Sequence, residues 1–160
     1  MDSSPQFPLV LPPNVVVKSP RETIIAFQVA LQELVAGDPL HQLELEPSHH
    51  FAPGAYAREL FIPADTCIVG KIHKHAHVNV VSQGDISVLT EEGVRRIQAP
   101  LTFISLPGTK RVVYAHTDTV WTTVHVTEET DLDKIEEYVI AKTYDDYDKL
   151  KAALLLEEAK

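Results

Sequence analysis

The chain has a single cysteine, Cys67, so neither an internal disulfide nor a cysteine-rich zinc module is available to brace the fold. It lacks any apolar run approaching the ~20 residues that a membrane-spanning helix needs. The N-terminus, MDSSPQFPLVLPP, has no basic lead and interrupts its short apolar stretch with prolines, so no secretory signal is expected and a cytoplasmic setting is the natural inference. Basic residues are scarce: 14 Lys and Arg face 23 Asp and Glu, for a net charge of −9. General nucleic-acid binding needs the opposite balance, because Lys and Arg must displace counterions from phosphates. No internal repeat is visible. What remains is 160 residues, about the length of one domain and enough to bury a core.

The order of elements is helix, many strands, helix. Residues through about Val17 are Pro-rich and are expected to form an extended arm on the domain or on a neighbouring subunit. In SPRETIIAFQVALQELVAGDP, Ser19 suits the N-cap, Pro20 the first turn, Glu22 a capping box and Gly37 the end of a helix. Its stripe of Ile24, Phe27, Leu31 and Leu34 has helical spacing and should dock on a sheet. A further strand is expected near Gln42 to Leu45, and His49-His50, before a Pro-Gly break, is expected in a loop.

From Tyr56 to Val126, strand-length segments alternate with turn signals such as Pro63-Ala64-Asp65, Gln83-Gly84-Asp85, Glu91-Glu92-Gly93 and Pro107-Gly108. That regularity predicts a mainly β protein, a β-sandwich or small barrel of jelly-roll type. After Val126 the chain turns acidic and helical, with Thr130 placed to cap DLDKIEEYVIA and YDDYDKLKAALLLEEA following. The expected organisation is one domain: arm and helix over 1–53, barrel core over 54–126, and a helical tail over 127–160.

The stretch GKIHKHAHVNVVSQGD carries His73, His75 and His77 at alternate positions. Read as one strand, they share a face with Asn79 and Val81, while Ile72, Ala76, Val78 and Val80 share the other. The more apolar even face would serve well as core, which would leave the histidines on a hydrated surface. His125 alternates with Trp121 and Thr123 on the last strand, where a hydrogen-bonded core histidine is expected. Cys67 has no basic neighbour and reads as a small buried residue rather than a nucleophile.

The segment from about Gly54 to Val126 resembles a cupin. Anchoring the first cupin motif on Gly84 puts His77 where the family has Glu, His73 at its second His and Lys71 at its first. In LPGTKR, Arg111 falls at the His position of the second motif and Ala115 at its Asn position. The combination of IHKxxH, SxG, LPGTKR and VWTTVH is also similar to short cupin-like proteins of unassigned role encoded by tailed bacteriophages. The resemblance implies a single-domain jelly-roll barrel with an N-terminal helix and C-terminal helices. It also implies a homodimer, since such barrels pair through sheet faces and this chain has arms at both ends.

Two chemistries follow for the site. In the first, His73 and His77, joined by His75 and by His116 from across the pocket, hold a divalent metal such as Fe, Mn, Ni or Zn through imidazole nitrogen. Lys71 and Arg111 oppose this, because a cation beside a divalent metal costs free energy unless an anion separates them. In the second, Lys71, Arg111 and the histidines, with Lys110, form a metal-free positive pocket for a carboxylate, a phosphate or a sugar nucleotide. That arrangement resembles the metal-free sugar epimerases with the same barrel, although no His/Asp pair with a Tyr acid is recognisable. A third alternative is a non-enzymatic phage accessory or virion-associated interaction protein, with the barrel presenting the terminal arms. Catalytic residues are not identified by the sequence.

Overall fold

The computed structural model describes residues 5–159. Helix α1 (Pro20–Gly37) starts where expected: the Ser19 hydroxyl accepts a hydrogen bond from the Glu22 amide, and the Glu22 carboxylate accepts one from the Lys18 amide. Ile24 and Phe27 are buried, and together with Val112 they form an apolar cluster joined by Phe7, Leu9 and Leu11 of the N-terminal arm. Burying side chains of this size contributes about 1.5–3 kcal/mol each, enough to hold α1 and the arm against the barrel. Leu34 remains exposed, so the docked stripe is shorter than its spacing suggests.

The barrel strands are β1 (Ser48–Ala52), β2 (Ala55–Ile62), β3 (Thr66–Val69), β4 (Ile72–His73), β5 (His77–Gln83), β6 (Asp85–Thr90), β7 (Gly93–Gln98), β8 (Leu101–Ser105), β9 (Val112–Ala115) and β10 (Thr119–Val126). One sheet has the order β1-β2-β10-β5-β8 and the other β3-β9-β6-β7, and every pairing in them is antiparallel. The chain crosses between sheets as it proceeds, which is the jelly-roll winding expected for this mainly β chain. Helices α2 (Leu132–Val139) and α3 (Tyr144–Glu158) follow the barrel. Between them the short strand β11 (Ile140–Ala141) pairs with β4.

Three local expectations differ. No strand forms over Gln42 to Leu45; Leu45 reaches the core from irregular chain, and the first strand is β1, which takes in His49 and His50 as a hairpin closed by Gly54 at φ 75°. The cap of α2 is Asp131 rather than Thr130, because its carboxylate accepts from both the Asp133 and the Lys134 amides. That helix also stops at Val139, where the backbone turns to pair with β4.

Along β2, β10, β5 and β8 the inward residues pass from apolar to polar toward one end. Leu60, Trp121, Val81 and Leu101 are paired side by side across the sheet, then Arg58, Thr123, Asn79 and Phe103. In the next row Tyr56 lies opposite His125, and His77 opposite Ser105. The apolar end, with Ile62, Ile86, Val88, Ile97, Val113 and Ala115, is the main core. Gly84 closes that end at φ 111°, where a Cβ would lie 2.2 Å from the Thr119 hydroxyl. The polar end opens into a cavity.

Candidate functional site

The cavity measures about 540 Å³ and is lined by residues of both sheets and of α2. Across its mouth, Ile135 and Val139 of α2 pack on Tyr56, and Lys71 at the rim pairs with Glu136. On the other side His49 Nδ1 lies 2.8 Å from the Tyr56 hydroxyl.

Three imidazoles cluster inside. The ring centres of His73 and His77 are 4.2 Å apart, those of His77 and His125 4.8 Å, and those of His73 and His125 5.5 Å. Burial first, then the mutual influence of the other histidines and the nearby Arg111 and Arg58, holds His73 down to about 3. Burial and the neighbouring His77, His75 and Arg58 hold His125 down to about 4. His77 is also lowered, chiefly by burial, against a contact with the His75 carbonyl that favours its charged form. At neutral pH all three rings are therefore uncharged. A carbonyl only accepts, so the 3.2 Å contact of His77 Nδ1 with the His75 oxygen puts the proton on Nδ1 and leaves a lone pair on Nε2. His77 Nε2 and His73 Nδ1 are buried, and among the described residues neither has a hydrogen-bond partner.

Beside the imidazoles runs a hydrogen-bonded chain whose directions are fixed. The Trp121 indole N–H, which can only donate, meets Asn79 Oδ1 at 3.0 Å. Asn79 therefore turns its amino group to the Ser105 hydroxyl oxygen at 2.6 Å, and Arg111 Nη2 donates to the same oxygen at 2.6 Å. Both lone pairs of the serine are occupied, so its own proton is left to donate elsewhere. Arg111 also lies over the Phe103 and Trp121 rings, at 5.6 and 5.9 Å from their centres. Burial, with the Arg95 charge behind it, lowers Arg111 to about 10, so it stays charged at neutral pH. Among the described residues, no carboxylate pairs with Arg111 or Arg58.

The structure brings together His73, His77 and Arg111, with Lys71 at the rim. It does not bring in His75 or His116. The run from Ile72 to Val81 is two strands, not one: β4 leaves to pair with β11, the chain bends at Lys74-His75, and the odd-position alternation is broken there. His75 consequently stacks on Tyr138, with ring centres 4.6 Å apart, and does not line the cavity. On β9 the inward positions are Val113 and Ala115, so His116 falls on the outer face of the barrel. There its Nε2 accepts from Arg96, which occupies the single lone pair a metal would need, and the Ser87 hydroxyl lies 2.8 Å from the same nitrogen. Lys110 also turns away from the cavity, into a separate groove.

His125, Arg58, Asn79 and Tyr56 complete the lining without having been singled out for it, with Ser105 behind Arg111 as its acceptor. Alternation supplied the signal for His125, since Trp121, Thr123 and His125 share one face of β10. Contrary to its expected role, no hydrogen bond ties His125 into the core among the described residues; it stacks on Tyr56 and on His73.

As arranged, this set does not fit a metal centre. Among the described residues, no three His, Cys, Asp or Glu side chains are disposed to hold an ion. The His73 and His125 rings stack with their planes 12° apart, and His77 is tilted against them by 36° and 31°. The nearby charges are cations.

No family model matches the chain, and no curated protein matches it. Among solved structures it is similar to KdgF from Halomonas sp., at 15% identity and a TM-score of 0.47 over 59% of this chain and 87% of that one. It is similar also to an RmlC-like cupin from Shewanella frigidimarina, at 16% identity and a TM-score of 0.45 over 57% and 89%. The cupin domain of Cnp3 from Schizosaccharomyces pombe is likewise similar, at 17% identity and a TM-score of 0.44 over 61% and 72%.

Proposed function

We propose that the barrel cavity binds a small organic anion, a carboxylate or phosphate that also bears a hydroxyl group. The observation that carries this reading is Arg111, a largely buried cation with no acidic partner among the described residues. Burying a charge without a counter-charge is costly, and an anionic ligand removes that cost. The remaining guanidinium N–H groups of Arg111, which Ser105 orients from behind, are donors suited to the oxygens of a carboxylate or phosphate. His77 Nε2 supplies an acceptor for the ligand's hydroxyl. The neutral imidazoles let this acceptor coexist with the cations at physiological pH.

Titration with glycerol 3-phosphate and with malate, followed by the fluorescence of Trp121 in the cavity wall, tests the proposal. A saturable change is expected, lost in Arg111→Met and weaker for the hydroxyl-free succinate than for malate. No saturable change with either anion, or equal binding by Arg111→Met, rejects it.

A further inference from the structure

A second space lies outside the barrel, between α1 and the β3–β4 edge, with a volume of about 760 Å³. It is lined by Lys110, by the amides Gln28, Gln32 and Gln42, and by apolar residues of α1. The Lys71 and Glu136 pair stands between this groove and the barrel cavity, lining both.

Lys110 is the unusual member. Only 8% of the residue is exposed, it lines the groove, and among the described residues it makes no ion pair. Glu136, the acid in the groove lining, is engaged by Lys71. Lysine is rarely this buried unless paired. Gln28 adds a complementary vacancy in hydrogen bonding, since its Oε1 is buried without a donor.

We infer that this groove is a second anion site, in which Lys110 holds the carboxylate of a small organic acid and Gln28 Oε1 accepts a hydrogen bond from that acid's hydroxyl or N–H group. A largely buried lysine without a counter-ion and a buried acceptor without a donor are satisfied by one molecule carrying both functions. The apolar wall from Leu31 and Val35 of α1 and Ile140 accommodates the short carbon skeleton between them. This site does not depend on the barrel reading, because none of its polar anchors faces the histidine cluster.

The test uses lactate and propionate, which differ by one hydroxyl, on a chain carrying Arg111→Met so that the barrel anchor is absent. Calorimetry should show saturable lactate binding that adding Lys110→Met weakens by about thirtyfold or more, as expected when one partner of a buried charge contact is removed. Propionate should bind about threefold or more weakly than lactate. A second measurement on the parent protein needs no substitution: peptide-resolved acetylation of lysines should be slowed by lactate at Lys110 but not at the exposed Lys134. Absence of lactate binding with Lys110 intact, equal binding after Lys110→Met, or unchanged acetylation of Lys110 overturns the assignment.

Discussion

The Ser105 hydroxyl oxygen lies 2.6 Å from both Asn79 Nδ2 and Arg111 Nη2, so one small side chain on β8 accepts from two donors and orients the cavity's buried cation. Trp121 fixes the sense of the chain from its far end. Fold and site are thus linked: Asn79 and Trp121 belong to the barrel wall, and Arg111 is aimed through them.

Replacing Ser105 by alanine should leave two buried donors without their acceptor. Each unsatisfied group costs about 1–3 kcal/mol, so Ser105→Ala should destabilise the protein by about 2–4 kcal/mol in urea unfolding and weaken anion binding at the same time. Ser105→Thr, which keeps the oxygen, should recover part of both. Unchanged stability in Ser105→Ala would show that the chain of hydrogen bonds contributes little.

A second test concerns the closed end of the barrel. At Gly84, φ is 111° and the missing Cβ would meet Thr119 Oγ1 at 2.2 Å, so Gly84→Ala combines backbone strain with overlap. The expected cost is about 2–4 kcal/mol, read as a lower urea midpoint with an unchanged m-value. The sequence comparison anchored on this glycine as a motif position; its physical basis is close approach of β5 and β10.

The histidines impose a pH dependence on stability. His73 and His125 are lowered to about 3 and about 4 when folded, whereas in the unfolded chain they titrate near the ordinary value of 6.5. Between those values the unfolded state holds more protons, so stability must fall as pH falls below about 6.5, by up to ~1.4 kcal/mol per pH unit for each histidine. Urea unfolding at pH 6.5 and at pH 5 measures the slope before most carboxylates titrate. Replacing His73 by glutamine should flatten it; an equal slope in His73→Gln would place its source elsewhere.

Much of the fold was legible because its signals are local. Ser19, Pro20 and Glu22 mark the start of α1, and the turn residues between Tyr56 and Val126 separate strands that lie close to where they were expected. The site was legible only in part. His73, His77 and Arg111 share the cavity, but His75 was assigned by an alternation that a bend at Lys74-His75 interrupts, and that bend depends on β11, which lies far along the chain. Which histidine faces inward is then a matter of strand pairing: His125 enters because β10 sits between β2 and β5, while His116 is one residue out of phase with Ala115. Among the described residues Lys110 has no ion-pair partner and Gln28 Oε1 no donor, and neither fact has a sequence signature, since lack of a partner is a property of the packed state.

The final prediction separates anion from metal by sign. Sulfate keeps its double charge through the accessible range, so any pH dependence in its binding reports the protein. From pH 8 to about 6.5 the affinity of the barrel should be flat, because His73 and His125, at about 3 and about 4, and His77, held below its ordinary value by burial, stay neutral there. A bound dianion favours their protonated forms, so the complex takes up protons before the free protein does, and affinity should rise as pH falls below about 5. A metal ion has the opposite linkage: imidazole must be neutral to ligate, protons compete, and occupancy falls over the same acid interval. Calorimetry with sulfate, and zinc content after dialysis, each measured from pH 8 down to about 4.5 while circular dichroism confirms that the chain remains folded, give the two curves. Sulfate binding that strengthens in acid and is flattened by His73→Gln with His125→Gln supports the anion site. Stoichiometric zinc retained at pH 8 and lost in acid, with no sulfate response, would replace the anion with a metal and make the imidazole cluster a ligand set that rearranges on binding.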